Sequence, residues 1–362
     1  MRVVVYGTGG AGGYFGAQLA LSGEQVIFVA RGEHLKALRA NGLRLETPKG
    51  DTVICPVEAT DDPATVTSAD VVLVGVKAWQ VPDAAQALRP LVGHGTFVVP
   101  LQNGVEAASQ LSAVLGADHV LGGMCGTLSR VAGPGHIHSA GGQNFIKFGE
   151  LDNRRSERVE RLHGVFAKAA VSVEVPSNIV KALWDKFLMV TSFGGVGAIA
   201  RAPIGVTRSV PETRRLLEQC LEEVVAVARA RKIEMSTTAI ADTMKFYDGL
   251  PPGGTTSLQR DVVDGKPSEL EYWNGAVVRL MIACCRRNCT LAARSRSRVS
   301  PSIVLELSEM GQSCRFGHRP ATSGLPRTTD IIRPARLVRF VPCSDLTHAA
   351  MHRRVVAGWS DY

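Results

Sequence analysis

The chain opens on an apolar, β-branched run, Met1 to Tyr6. Gly7-Thr8-Gly9-Gly10-Ala11-Gly12 follows at once, then helical spacing over Tyr14 to Leu21 and a second apolar run, Gln25 to Ala30. Short apolar runs with few polar breaks suit strands covered on both faces. Asp70 to Val76 and Thr96 to Pro100 repeat that pattern, while Glu33 to Asn41, Ala84 to Leu91 and Gly104 to Leu115 have helical spacing. Leu43 to Cys55 reads as strands around a Pro48-Lys49-Gly50 turn, and Asp61 to Ala69 as a polar link. Strand alternating with helix predicts an α/β fold with a doubly wound parallel sheet. Val120 to Gly122 starts another strand, and the glycine-rich, β-forming stretch Gly123 to Glu150 predicts antiparallel strands closing this first domain.

From about Asp152 the spacing becomes helical. Ser156 to Ala170, Asn178 to Thr191, Pro211 to Lys232, Thr237 to Tyr247 and Glu269 to Leu280 are predicted helices, with a short strand at Val173 to Val175. Pro211 and Glu212 suit a first turn, and Arg229, Arg231 and Lys232 a last one. The predicted layout is a Rossmann-like nucleotide-binding domain over residues 1–170, a mainly α-helical substrate domain over 171–280, and a tail of different character over 281–362.

Residues 7–12 fit G-x-G-x-x-G between a strand and a helix. Gly7 permits the tight turn, Gly9 lets backbone approach a pyrophosphate, and Gly12 lets helix and strand pack closely. The free N–H groups and positive dipole end of the helix then face the phosphates, so Gly7, Thr8, Gly9, Gly10, Ala11 and Gly12 are expected to hold a dinucleotide. An NAD site usually ends its second strand with a carboxylate for the ribose 2′-hydroxyl. Here Ala30-Arg31-Gly32 puts a cation there, which suits a 2′-phosphate and selects NADP. Lys77 and Asn103 fall just past strand C-termini, the edge where open α/β sheets bind ligands.

Composition refines this without redirecting it. Of the 362 residues 45% are hydrophobic and 20% charged, ordinary for a globular chain. The net charge of +8 invites a nucleic-acid reading, but residues 281–362 hold 13 Arg, no Lys and 5 acidic residues, so residues 1–280 are neutral. No apolar run approaches bilayer length, no leader precedes the first strand, and the cysteine spacings include no second pair at zinc-site spacing. The expectation is a cytoplasmic protein with no metal, no membrane contact and no nucleic-acid partner. A homodimer is left open.

Several stretches together make the chain resemble the ketopantoate reductase (2-dehydropantoate 2-reductase) family. They are the glycine turn, Arg31, Val76-Lys77 with Gln80, Gln102-Asn103-Gly104, Trp184-x-Lys186-Phe187, and Ser257-x3-Asp261-x7-Glu269 running into Asn274-Gly275. Order and spacing agree from Met1 to about Leu280. The resemblance implies hydride transfer from NADPH to the ketone of a small 2-oxo acid, 2-dehydropantoate to pantoate in pantothenate and coenzyme A biosynthesis. It implies Lys186 as general acid, its pKa lowered by burial beside Trp184. It places Asn103 between nicotinamide ribose and substrate, Ser257 on the substrate, and Lys77, Gln80, Ser129 (through its backbone) and Glu269 on the cofactor side.

Two features depart from the family pattern. Where the best-known members carry substrate-binding asparagines, this chain has Val190, Gly194 and Ile204, which points to a more apolar 2-oxo acid as an alternative substrate. After Val278-Arg279-Leu280 the family pattern gives way to an Arg-, Ser- and Cys-rich stretch. A shifted reading frame would produce such a change, and an NADP-binding protein without turnover is the expected outcome if the tail replaces closing helices. A basic, poorly ordered extension is the other reading.

Overall fold

The structure is a computed structural model, and it describes residues 1–169 and 171–293, with side-chain surroundings as far as residue 284. Residues Met1–Met281 form one compact unit. Its first strands are β1 (Arg2–Tyr6), β2 (Gln25–Val29), β3 (Leu43–Thr47), β4 (Gly50–Ile54), β5 (Glu58–Thr60), β6 (Val71–Val74) and β7 (Phe97–Pro100). Among these run α1 (Gly10–Leu21), α2 (Gly32–Asn41) and α3 (Val81–Leu88), with α4 (Ala107–Leu115) after β7. The central sheet has the order β5-β2-β1-β6-β7, and every neighbouring pair is parallel. β1 shows why: Val3 and Val5 pack into one apolar cluster with residues of α1 and α2, and Val4 and Tyr6 into another with residues of α3 and α4. A strand covered on both faces leaves no room for polar alternation.

Next come β8 (Gly122–Gly126), β9 (Ser129–Gly133), β10 (His136–Ser139) and β11 (Phe145–Gly149), then α5 (Glu157–Lys168) and β12 (Ser172–Glu174). The antiparallel expectation holds for β9 with β10 and for β8 with β11. It does not hold for β10 with β3 or β11 with β12, which are parallel. These strands complete two small mixed sheets, β4-β3-β10-β9 and β12-β11-β8. The Asp61 to Ala69 link contains only a single 3-10 turn, Pro63–Thr65.

The helical part comprises α6 (Ile179–Ala200), α7 (Ile204–Ser209), α8 (Pro211–Ala230), α9 (Ala239–Gly249), α10 (Ser257–Val263) and α11 (Leu270–Ala293). Asn178 caps α6, its side-chain oxygen accepting from Lys181 N at 2.8 Å. α6 runs on past the predicted stop at Thr191, through Gly194, Gly195 and Gly197. Glycine is a poor helix former, but here packing overrides propensity. A Cβ on these residues would stand 2.9 Å from the Trp273 ring, 2.3 Å from Asn274 Nδ2 and 2.1 Å from Gln259 Nε2 respectively. The glycines are the surface onto which α10 and α11 close. The periodicity expected to fail at Leu280 continues as helix to Ala293; the remainder of the tail reading lies outside the described residues. Among the described residues no helix is long and apolar enough to cross a membrane.

Candidate active site

Parallel order puts the C-terminal ends of β1, β2, β6 and β7 on one edge, which gathers four of the segments singled out by sequence. Gly7, at φ +97°, makes the turn after β1. Gly7 and Thr8 both donate their N–H to Val29 O at 3.2 Å, and the Thr8 hydroxyl donates to the same oxygen at 3.1 Å. Thr8 is therefore buried as a latch between the turn and β2. A Cβ on Gly12 would lie 2.2 Å from Gly7 O, so the first turn of α1 needs glycine there to touch the loop. Gly10 faces β9: a Cβ would lie 2.3 Å from Ser129 O. The Gly10→Ala variant is thus expected to lose about 1–3 kcal/mol of stability through overpacking, read as a lowered urea midpoint.

The turn fits a dinucleotide phosphate on its own geometry. Above Gly9 the space is open, the nearest atom to an added Cβ being Gly75 O at 3.9 Å. Gly9 caps α1 without a side-chain bond, and the first turn has no acidic residue. The orphan N–H groups and dipole of α1 are left for an anion. Ala11, in that first turn, supplies one of these N–H groups. Arg31 follows β2, is exposed, and occupies the N-cap position of α2.

After β6, Gly75 N bonds Tyr6 O at 2.8 Å, which keeps this segment against the glycine turn. Gln80, itself exposed, accepts from Lys77 N at 3.2 Å. Lys77 Nζ lies 2.7 Å from Asp261 Oδ2 on α10 and 3.9 Å from Glu269 Oε2. The ammonium expected on the cofactor side thus already lies between two carboxylates. After β7, Gln102 donates through Nε2 to Val74 O at 2.9 Å and Val76 O at 2.8 Å. That staple fixes the half-buried Asn103 beside it, whose side chain has no hydrogen-bond partner among the described residues.

Glu269 directly precedes α11, but its carboxylate reaches to another segment. Its Oε1 accepts from Ala78 N at 2.9 Å, across to the segment after β6. Burial pushes its carboxyl above the usual range, although the Ala78 N–H and the Lys77 and Lys186 ammonium groups pull the other way. Lys186 arrives from α6 and donates to Cys125 O, at the end of β8. Its Nζ stands 5.7 Å over the Phe145 ring, for which Gly126 makes room, since a Cβ there would lie 2.3 Å from Phe145 Cε1. Burial lowers the Lys186 pKa, with the Cys125 thiol and the Glu269 carboxyl opposing it. Trp184 is not the burying neighbour. Two residues along a helix is more than half a turn, and Trp184 packs instead with Phe187 in the helical core. Cys125, Phe145 and Asp261 were not marked as site residues by sequence; their roles come from contacts across long separations that local pattern does not carry. Ser257 opens α10 four residues before Asp261, so both lie on one helix face.

The arrangement offers a phosphate cradle, then a half-buried lysine, an amide and a carboxylate where the strands end. Residues 3–153 match the family model described as ketopantoate reductase PanE/ApbA, and residues 178–283 match the model of its C-terminal part. The chain belongs to the ketopantoate reductase family. It is 31% identical to the 2-dehydropantoate 2-reductase of Halobacterium salinarum over 281 residues, 77% of this chain and 91% of that protein. A PanE/ApbA family ketopantoate reductase from Ralstonia eutropha JMP134 superposes with a TM-score of 0.71 at 33% identity, over 78% of this chain and 92% of that one. D-mandelate dehydrogenase, solved with NADH and anilino(oxo)acetate, shares the fold with a TM-score of 0.71 at 20% identity, over 77% and 91% of the two chains. The ketopantoate reductase family places this chain among the NAD(P)-dependent oxidoreductases that act on CH–OH groups and reduce 2-oxo acids.

Proposed function

We propose that the protein reduces a 2-oxo acid to the 2-hydroxy acid with NADPH, 2-dehydropantoate to pantoate being the reaction its relatives are named for. The observation that carries this reading is Lys186, a lysine whose charged form burial disfavours, held by α6 against Cys125 O on β8 and within charge reach of Glu269, whose carboxylate bonds the segment after β6. When bound, the nicotinamide supplies hydride to the ketone carbon. Gly9, Gly10 and Ala11 N–H groups would hold the pyrophosphate and Arg31 the 2′-phosphate, with Gln80 and the Ser129 backbone beside them. Lys77 acts there as the ion-paired tie to Asp261 and Glu269, and Asn103 and Ser257 orient the oxo acid.

Lys186 holds the proton at Nζ and gives it to the carbonyl oxygen. The desolvation that lowers its pKa makes that proton a better acid, because the neutral amine left behind is the form burial favours. Cys125 and Glu269 counteract this in part. The sign follows directly. An acid must be protonated, so kcat/KM falls as pH rises through the Lys186 pKa, which lies below the ordinary lysine value of 10.5. A pH profile of NADPH oxidation with a 2-oxo acid is expected to show that alkaline limb below 10.5, and a rate flat across the alkaline range would sink the assignment. A second reading, a more apolar 2-oxo acid as substrate, is favoured by the buried Val190 one turn after Lys186.

A further inference from the structure

The Lys186 ammonium meets two neighbouring strands. It donates to Cys125 O on β8, and its Nζ lies 5.7 Å from the centre of the Phe145 ring, at the start of β11. β8 and β11 are antiparallel partners, with Phe145 directly opposite Gly126. The ring needs a glycine there, because an added Cβ would stand 2.3 Å from Phe145 Cε1 and 2.8 Å from Cζ. It therefore lies across the partner strand at the residue after Cys125, beside the carbonyl that accepts from Lys186. The Cys125 thiol in turn donates to Leu101 O at 3.4 Å, just before Gln102 and Asn103. Two residues along β11, Lys147 Nζ is 5.9 Å from the same ring centre and 2.6 Å from Glu174 Oε2 on β12. The titratable groups around Lys186 are thus the Cys125 thiol, the Glu269 carboxyl and, across the ring, the paired Lys147. An ammonium has three N–H donors. Among the described residues only Cys125 O accepts from this one. An aromatic face attracts the charge through its quadrupole but offers no lone pair, so it holds the ammonium without consuming a second donor.

We propose that Phe145 is the positioning residue of the proton donor: its ring holds the Lys186 ammonium against Cys125 O by cation–π attraction and leaves the other N–H groups for the ketone oxygen. The ketone belongs to the reductase reading above, on which this role rests; the seat itself does not need it. Fluorination weakens the negative potential of a ring face while nearly keeping its shape. Phe145 is therefore replaced in turn by 4-fluorophenylalanine and by 3,4,5-trifluorophenylalanine. The ring favours the charged lysine, so weakening it lowers the Lys186 pKa. The alkaline limb of kcat/KM for the 2-oxo acid should move to lower pH in two steps, by roughly 0.4–1.5 pH units in all, with the KM for NADPH unchanged. Phe145→Leu, apolar but without a π face, should move the limb in the same direction. A merely structural role would not grade with the number of fluorines.

A limb that stays at the wild-type position across the fluorinated series overturns the proposal. So does a limb that moves to higher pH in a folded Phe145→Leu protein, since the ring would then act only by excluding water. A second measurement separates this proposal from the reductase reading. Protein labelled with 13C at lysine Cε is titrated by NMR, the Lys186 signal being the one lost in Lys186→Ala. This reads the Lys186 pKa without turnover. If no 2-oxo acid is reduced, the reductase reading falls, and the titration still decides the seat: a stepwise fall of the Lys186 pKa with fluorination supports it, and an unmoved pKa refutes it.

Discussion

Lys186→Ala is expected to lower kcat by about 10²–10⁴-fold, the usual worth of a positioned proton donor. The fold should survive, because the change removes a poorly solvated cation rather than an apolar side chain. Glu269 keeps its bond from Ala78 N and its approach to Lys77, so the carboxylate is not stranded. NADPH affinity, assigned in the proposed function to the glycine turn and Arg31, should change little. Lys186→Arg separates proton donation from charge alone. A guanidinium retains the positive charge but does not release its proton in proteins, so this variant should be nearly as slow as Lys186→Ala. Stopped-flow measurement of the chemical step distinguishes the cases. Lys186→Ala retaining more than about a tenth of the wild-type rate would place the acid elsewhere.

Arg31→Asp should reverse the cofactor preference. A guanidinium bonded to a phosphate is worth about 1.5–3 kcal/mol, which corresponds to roughly 10–100-fold in NADPH affinity. An aspartate there repels the 2′-phosphate and accepts from a ribose 2′-hydroxyl, so NADH should become the better cofactor. The substitution is mild for the fold. Arg31 is exposed and caps α2 without a side-chain bond, and Asp is a preferred N-cap residue. Titration of cofactor fluorescence gives both dissociation constants. An unchanged ratio of the two would refute the assignment of Arg31.

What sequence made legible follows the range of the interactions. β1, the glycine turn, α1 and β2 were readable because each is specified within a few residues, as was α8 with Pro211 in its first turn. α6 beyond Thr191 was not, since Gly194, Gly195 and Gly197 argue locally against helix and are explained only by side chains from α10 and α11. The short helix α7 carried no readable period. The same division runs through the site. Arg31, Lys77, Asn103 and Lys186 stood out by motif. The Cys125 carbonyl and Phe145 ring around Lys186, and Asp261 against Lys77, arise from packing between segments far apart in the chain. Trp184, two residues away in sequence, was the wrong neighbour because helix rotation turns it into the core.

The most direct test is transfer of the hydrogen itself. NADPH deuterated at C4 of the nicotinamide is mixed with the protein and a 2-oxo acid, and the products are analysed by mass spectrometry. The expected product is a 2-hydroxy acid carrying deuterium at C2, formed in step with cofactor oxidation and lost in Lys186→Ala. Bound NADPH with no labelled 2-hydroxy acid from any branched 2-oxo acid, 2-dehydropantoate included, would contradict the reductase reading.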